Sequence, residues 1–171
     1  MITDLVQIKR FGEKQREENL RFRAWMKRHN FVERRLKIIA QTVEENTDCT
    51  ACANCCRVAT TQVTERDVEH LAKYLRITVN DFLRDYTVDT EDEGFILKRD
   101  ENGCVFLDGN LCSVYDARPH TCEGFPHLVK GNGSLLSRMW HMPDRAVYCP
   151  IVFNTLEEWK TETGFKTGQK K

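Results

Sequence analysis

Eight cysteines occur in this chain of 171 residues, and half of them lie in one short run. The run is Cys49-Thr-Ala-Cys52-Ala-Asn-Cys55-Cys56, and the other four cysteines are Cys104, Cys112, Cys122 and Cys149. Thiolates are soft ligands that suit zinc, copper(I) and iron–sulfur clusters. The two-residue spacers within the run allow successive sulfurs to turn towards one ion or one cluster. We therefore predict that the cysteines bind a metal.

The sulfurs are too many for one structural zinc ion, which takes four ligands. The side chains of adjacent residues usually diverge, so Cys55 and Cys56 are expected to reach different partners. Our hypothesis is that one centre is formed by Cys49, Cys52 and Cys55. Cys56 then has another role, and the later cysteines form a second group of Cys104, Cys112 and Cys122. Cys149 is the remaining candidate ligand.

The spacing leaves the metal open between iron and zinc. Three close cysteines and a remote Cys149-Pro150 are similar to the ferredoxin arrangement, which favours iron, as an ion or as an iron–sulfur cluster. Zinc sites more often combine two CxxC-type units, although irregular spacings also occur. Arg118 is a candidate to offset the negative charge of the thiolates. Histidines are weaker candidate ligands, namely His120, His127 and His141.

The N-terminal sequence contains no apolar run long enough for a signal peptide, and no segment approaches membrane-spanning length. We therefore expect a cytoplasmic protein without a membrane partner. Disulfides are rare in a reducing cytoplasm, which favours metal binding over disulfide bonding. The formal net charge is zero, with 26 basic and 26 acidic residues, and it gives no general argument for nucleic acid. Binding of nucleic acid through the mildly basic N-terminal segment ranks lowest among the functions considered.

The first 47 residues are expected to form an amphipathic helical arm. Apolar side chains recur there at Phe22, Trp25, Val32, Leu36, Ile39 and Val43. With His29 in the missing step, the intervals alternate between three and four residues, which is the helical period. The pattern fits one long helix, or two helices that are separated near Asn30, where Asn30 and Glu33 would form a capping box. We expect the apolar stripe to pack on the rest of the chain or on a partner, either another protein or a second copy.

Several further elements follow from local patterns. Thr64 with Asp67, and Thr78 with Asp81, each predict the start of a short helix. An acidic segment over 88–93 predicts a surface loop, and 95–98 predicts a strand. The turn Asp108-Gly109-Asn110 predicts a hairpin between 104–107 and 111–115, with Cys104 roughly opposite Cys112. Thr155 and Glu158 predict a capping box that opens a short C-terminal helix.

The order of these motifs resembles the YkgJ-like cysteine-cluster proteins, which are described as zinc- or iron-chelating domains. The resemblance rests on the CxxCxxCC run, Thr64-x-x-Asp67, Cys104-Val-Phe-Leu-Asp108, Cys112-Ser-Val-Tyr115 and Arg118-Pro119-x-x-Cys122-x-x-Phe125-Pro126. It covers roughly residues 48–127. It implies ligand roles for the first seven cysteines, and Cys149 is a further candidate. A related cluster in flagellin lysine methylases makes methyl transfer conceivable.

Together these observations predict an α+β fold, in which short helices surround a β-hairpin in a small metal–thiolate domain. We expect a helical arm over 1–47, a cysteine-cluster domain over 48–163 and a flexible tail over 164–171. The first functional hypothesis is a metal-binding protein that chelates iron or zinc and acts in metal handling or redox chemistry. The alternative is a metal- or cluster-dependent enzyme, such as a protein-modifying methyltransferase. The sequence contains no phosphate loop, serine–histidine–acid motif or HExxH motif, so any catalysis would depend on the metal.

Overall fold

A computed structural model describes residues 1–131 and 133–166 and divides the chain into two compact units. The helical unit comprises residues 1–48 and the segment from residue 126 onwards, and the cysteine unit comprises Cys49–Phe125. The last long helix packs with the N-terminal helices. The expected division into arm, domain and tail stays a prediction. Residues 167–171 of the expected tail lie outside the described residues.

The described residues form both helices and antiparallel hairpins, so the predicted α+β class is confirmed. In chain order the helices are α1 (Leu5–Met26), α2 (Glu33–Glu45), α3 (Cys49–Cys52), α4 (Asn54–Val58), α5 (Glu65–Leu75), α6 (Val79–Tyr86), α7 (His120–Glu123), α8 (Leu135–Arg138), α9 (Met142–Arg145) and α10 (Pro150–Thr163). The strands are β1 (Thr87–Thr90), β2 (Gly94–Leu97), β3 (Arg99–Asp100), β4 (Gly103–Cys104), β5 (Leu107–Asp108) and β6 (Leu111–Cys112). No helix within 1–131 or 133–166 combines the length and the apolar character that a membrane crossing requires.

The helical unit is built around α1, α2 and α10. Phe22, Leu36 and Trp159 are fully or almost fully buried, and the Trp159 indole N–H donates to the Leu36 carbonyl at 2.8 Å. Much of the predicted apolar stripe therefore lies in a core. Of the two alternatives, the structure has two separate helices. The capping box is wrong, because α2 begins after Val32 and no side chain caps it.

The capping box predicted at Thr155 and Glu158 is also wrong, because α10 begins earlier. Cys149 is the N-cap and Pro150 occupies the first turn, where the missing N–H of proline has no cost. Thr155 consequently lies inside the helix and is buried, rather than at a helix start. A threonine followed by glutamate three residues later is therefore no start signal here, since the proline already begins the helix.

The cysteine unit has its own core, to which α5 and α6 contribute Val68, Leu71 and Phe82. The Thr64 hydroxyl accepts from the Asp67 N–H, and the Asp67 carboxylate accepts from the Thr64 N–H. This capping box confirms the predicted helix start at Thr64. The predicted start at Thr78 is confirmed as well. These two caps fix the directions of α5 and α6 from local sequence alone.

Three separate hairpins follow α6, which pair β1 with β2, β3 with β4, and β5 with β6. The predicted strand near 95–98 is confirmed as β2, but part of the predicted loop over 88–93 is β1. Gly109 and Asn110 form the predicted turn between β5 and β6. Cys104 does not lie opposite Cys112, because it pairs with Arg99 on the preceding hairpin, while Cys112 pairs with Leu107. The hairpin at Gly109 is simply too short to reach residue 104.

Candidate metal centre

Four cysteines of the cysteine unit come from four different elements. Cys56 lies on α4, Cys104 on β4, Cys112 on β6 and Cys122 on α7, and all four are partly buried. Burial raises the pKa of the three later thiols, that of Cys122 to about 11, and negative charge on Cys56 raises all three further. Because the effect of a charge on another group falls with distance, Cys56 lies in the same neighbourhood as the three later sulfurs.

We call Cys56, Cys104, Cys112 and Cys122 the four-cysteine group. Within it, Cys56 is the cysteine whose pKa is lowered rather than raised. A hydrogen bond from the Cys55 thiol, with the sulfurs 4.0 Å apart, is the largest influence and lowers the Cys56 pKa to about 6. Burial opposes the shift, whereas the guanidinium groups of Arg57 and Arg99 support it. Since the thiolate is the form that binds metal, the lowered pKa favours the form of Cys56 that a metal would bind.

The short distance between the sulfurs of Cys55 and Cys56 corrects the expectation that these side chains diverge. Both residues lie on α4, where successive side chains are about 100° apart and so need not point to opposite sides. Two sulfurs in a tetrahedral zinc–thiolate site are about 3.8 Å apart, given Zn–S bonds of about 2.3 Å. The observed 4.0 Å is therefore compatible with one shared ion.

Each sulfur of the four-cysteine group faces a hydrogen-bond donor of the protein. The N–H groups of Phe106 and Val114 serve Cys104 and Cys112, and each donor lies two residues after its cysteine. The Thr61 hydroxyl lies 3.7 Å from the Cys122 sulfur. Donors of this kind stabilise metal-bound thiolates and orient them. The donor set therefore suits a metal that binds thiolates.

None of the eight cysteines, all of which belong to the described residues, is in a disulfide. Among residues 1–131 and 133–166, no three cysteine, histidine or carboxylate side chains are arranged to hold an ion directly. A ligand set drawn from the four-cysteine group therefore requires the sulfurs to turn towards a common point, and the bond about which a cysteine sulfur turns is the Cα–Cβ bond.

The remaining cysteines are placed differently. Cys49 and Cys52 lie on α3, and Ala53, in the left-handed conformation with φ of 46°, separates this helix from α4. Cys149 belongs to the helical unit and is buried at the start of α10, and its ligand role stays a prediction. Of the three candidate histidines, only His120 lies in the cysteine unit, with its side chain largely exposed.

Arginines surround the group more closely than the sequence suggests. Arg118 stacks on the Tyr115 ring, with its guanidinium carbon 4.0 Å from the ring centre. Burial raises the Cys112 pKa, and the charge of Arg118 partly offsets that effect. Arg57 and Arg99 act in the same sense on Cys56, but the sequence analysis missed both. Only the position of Arg57 directly after the CxxCxxCC run could have drawn attention to it.

The β3–β4 and β5–β6 hairpins repeat one arrangement. In each, an aspartate precedes the cysteine by four residues, as Asp100 precedes Cys104 and Asp108 precedes Cys112. Both cysteines lie on the second strand of a short hairpin, and each accepts from an N–H two residues further on. This Asp-x3-Cys repeat was the available sequence signal that the two cysteines occupy equivalent positions.

Gly103 allows the β3–β4 hairpin to approach α4. A Cβ atom at this position would lie 2.6 Å from the Cys56 carbonyl oxygen and 2.8 Å from the Arg57 Cα. Its φ of +125° is also a conformation that side chains disfavour. The absence of a side chain at residue 103 therefore permits Cys104 to lie beside Cys56.

Asp67 connects the α5 cap with the segment that carries Cys122. Its carboxylate accepts from the Thr64 hydroxyl at 2.7 Å and from the His120 N–H at 2.9 Å. Burial is the largest single influence and would raise the Asp67 pKa, but hydrogen bonds from Thr64 and His120 together outweigh it and lower the pKa. The carboxylate therefore stabilises the folded state in its ionised form.

We expect Asp67→Ala to lower the free energy of unfolding by about 1–2 kcal/mol, because a cap and a charge-assisted hydrogen bond are lost from a partly exposed site. Since the folded pKa lies below the unfolded value, this contribution is present above about pH 4 and is lost as the pH falls through the folded pKa. Urea unfolding at pH 7 and pH 3 measures it. Asp81→Ala removes a similar cap without a link to α7 and is the control, and an equal loss in both variants would contradict the role of the His120 contact.

Comparison with known proteins agrees with the cysteine pattern. The family CxxCxxCC, described as "Putative zinc- or iron-chelating domain", matches residues 48–150, which is more than half of the chain. The Methanocaldococcus jannaschii protein named Uncharacterized protein MJ0661 is 35% identical over 92 residues, which cover 51% of this chain and 48% of that protein. The chain thus spans about half the length of this relative. No solved structure matches the chain. The extent of the family match shows that the chain belongs to the CxxCxxCC family of zinc- or iron-chelating domains.

Proposed function

We propose that the cysteine unit binds an iron or zinc ion through thiolates, and that the principal ligands are Cys56, Cys104, Cys112 and Cys122. One observation carries this proposal, namely that four partly buried sulfurs come from four separate elements and that charge on Cys56 raises the pKa of the other three. Thiols of that kind, outside any disulfide, are stabilised as thiolates when a cation lies among them.

The residues support a thiolate centre in two further ways. Each sulfur of the four-cysteine group has a donor within reach, and Arg57, Arg99 and Arg118 oppose the accumulation of negative charge. Bound zinc would stabilise the fold, whereas bound iron, as an ion or a cluster, would supply one-electron redox chemistry. We propose metal handling or electron transfer as the role, with Cys49, Cys52 and Cys55 as the second centre.

Metal analysis of protein that is purified without oxygen tests this function. We expect iron or zinc at one or more equivalents per chain, and Ser substitutions at the four principal cysteines together should remove at least one equivalent. The visible spectrum separates the metals, because an iron–sulfur cluster gives sulfide-to-iron absorption and a zinc protein is colourless. A folded, fully reduced protein that contains neither metal and takes up neither would overturn the proposal.

A further inference from the structure

Arg57 is the residue at which three cysteine-bearing segments of the cysteine unit meet. One guanidinium nitrogen donates to the Cys52 carbonyl at 2.9 Å, and the other terminal nitrogen donates to the Gly109 carbonyl at 2.8 Å and to the Asn110 side-chain oxygen. The side chain therefore joins the end of α3 to the tip of the β5–β6 hairpin. Its own backbone belongs to α4, between these two.

Asn110 and Arg99 complete the same network. The Asn110 amide donates to the Ala51 carbonyl at 2.9 Å, which is a second link between the hairpin tip and α3. The Arg99 guanidinium donates to the carbonyls of Arg57 and Ala59, and Arg99 is paired with Cys104 across the β3–β4 hairpin. Two arginines and one asparagine thus connect α3 and α4 with the strands that carry Cys104 and Cys112.

These bonds end on backbone carbonyls and on an amide, so they depend on the geometry of the guanidinium group. Its planar fork donates in several fixed directions, which a lysine ammonium on a flexible stem does not reproduce. The left-handed Ala53 lies directly between Cys52 and Cys55, and Arg57 spans this junction. The angle between α3 and α4 is therefore held by a side chain that binds no metal itself.

We propose that Arg57, with Asn110, is a positioning clamp that holds the CxxCxxCC segment and the β5–β6 hairpin in the arrangement in which Cys56 and Cys112 reach the same metal centre. The proposal rests on the proposed function. It assigns Arg57 an effect on metal affinity that is separate from ligation. Residues that orient metal ligands without binding the ion typically contribute about 10–100-fold to affinity.

The experiment measures the affinity of the full chain for Zn²⁺ by competition with a chromophoric chelator under reducing conditions, and records the thiolate-to-metal absorption of the Co²⁺ form. We expect Arg57→Ala to weaken Zn²⁺ binding by about 10–100-fold and to lower the Co²⁺–thiolate absorption. Arg57→Lys should resemble Arg57→Ala, since charge without the fork does not span the three acceptors. Asn110→Ala should weaken binding less, and Arg66→Ala, an exposed arginine of α5, should leave it unchanged.

The possible outcomes distinguish a failure of the clamp proposal from a failure of the proposed function. If Arg57→Lys binds Zn²⁺ as the wild type does, charge matters rather than geometry, and the clamp is wrong. If Arg57→Ala does not fold, Asn110→Ala decides, and unchanged affinity in that folded variant overturns the proposal. A wild-type protein that binds neither Zn²⁺ nor Co²⁺ contradicts the proposed function itself, whereas normal binding by both the wild type and Arg57→Ala contradicts only the clamp.

Discussion

Gly103→Ala is expected to destabilise the cysteine unit by about 3 kcal/mol and to abolish most metal binding. The new methyl group would meet the Cys56 carbonyl oxygen at 2.6 Å, which is backbone that cannot swing aside, and the φ of +125° adds strain. The hairpin would have to move away from α4, which separates Cys104 from Cys56. Urea unfolding and metal content per chain measure the two effects.

Gly109→Ala is the matched control for this substitution. Gly109 also has a positive φ, of +58°, but a Cβ there meets nothing within 4 Å. We expect a loss of only about 1 kcal/mol from the left-handed backbone, with metal content close to that of the wild type. Similar losses of metal in the two variants would show that hairpin strain, rather than the close approach to α4, controls the site.

The substitutions Cys55→Ser and Cys56→Ser are expected to affect different groups of cysteines. Serine lacks the soft sulfur and keeps its proton at neutral pH, so a centre that loses one thiolate is under-coordinated. Cys56→Ser should remove the metal bound with Cys104, Cys112 and Cys122, whose pKa values all respond to Cys56. Cys55→Ser should chiefly remove metal from the centre shared with Cys49 and Cys52.

Metal content and the pattern of cysteine alkylation distinguish the two variants, each of which serves as the control for the other. After Cys56→Ser, the three later cysteines should become more reactive, and after Cys55→Ser the reactivity should rise at Cys49 and Cys52. The alternative is that Cys55 and Cys56 bind the same ion, which their sulfur–sulfur distance of 4.0 Å would allow. If both variants lose the same metal in the same proportion and expose the same cysteines, the two sulfurs bind one shared ion.

Features that depend on neighbouring residues could be predicted from the sequence. The Thr64–Asp67 capping box, the start of α6 at Thr78 and the turn at Gly109 all involve contacts over a few residues, and all three are present. The cysteine spacing likewise placed four thiols within one short stretch of chain. One local signal gave a wrong prediction. Thr155 and Glu158 resemble a capping box, but Pro150 already begins α10, so Thr155 lies inside the helix.

The tertiary structure decided what the sequence left open, because the deciding contacts join residues far apart in the chain. Arg57 bonds to Gly109 and Asn110, and Arg99 bonds to the Ala59 carbonyl, although no local pattern marks any of these pairs. The pairing of Cys104 with Arg99 depends on where each short hairpin turns, which alternating apolar residues do not specify over strands of two residues. The sequence by itself determined that four cysteines lie close together in the chain. Tertiary packing determined which thiols approach one another, because Gly103 leaves room for the β3–β4 hairpin to lie against the backbone of α4.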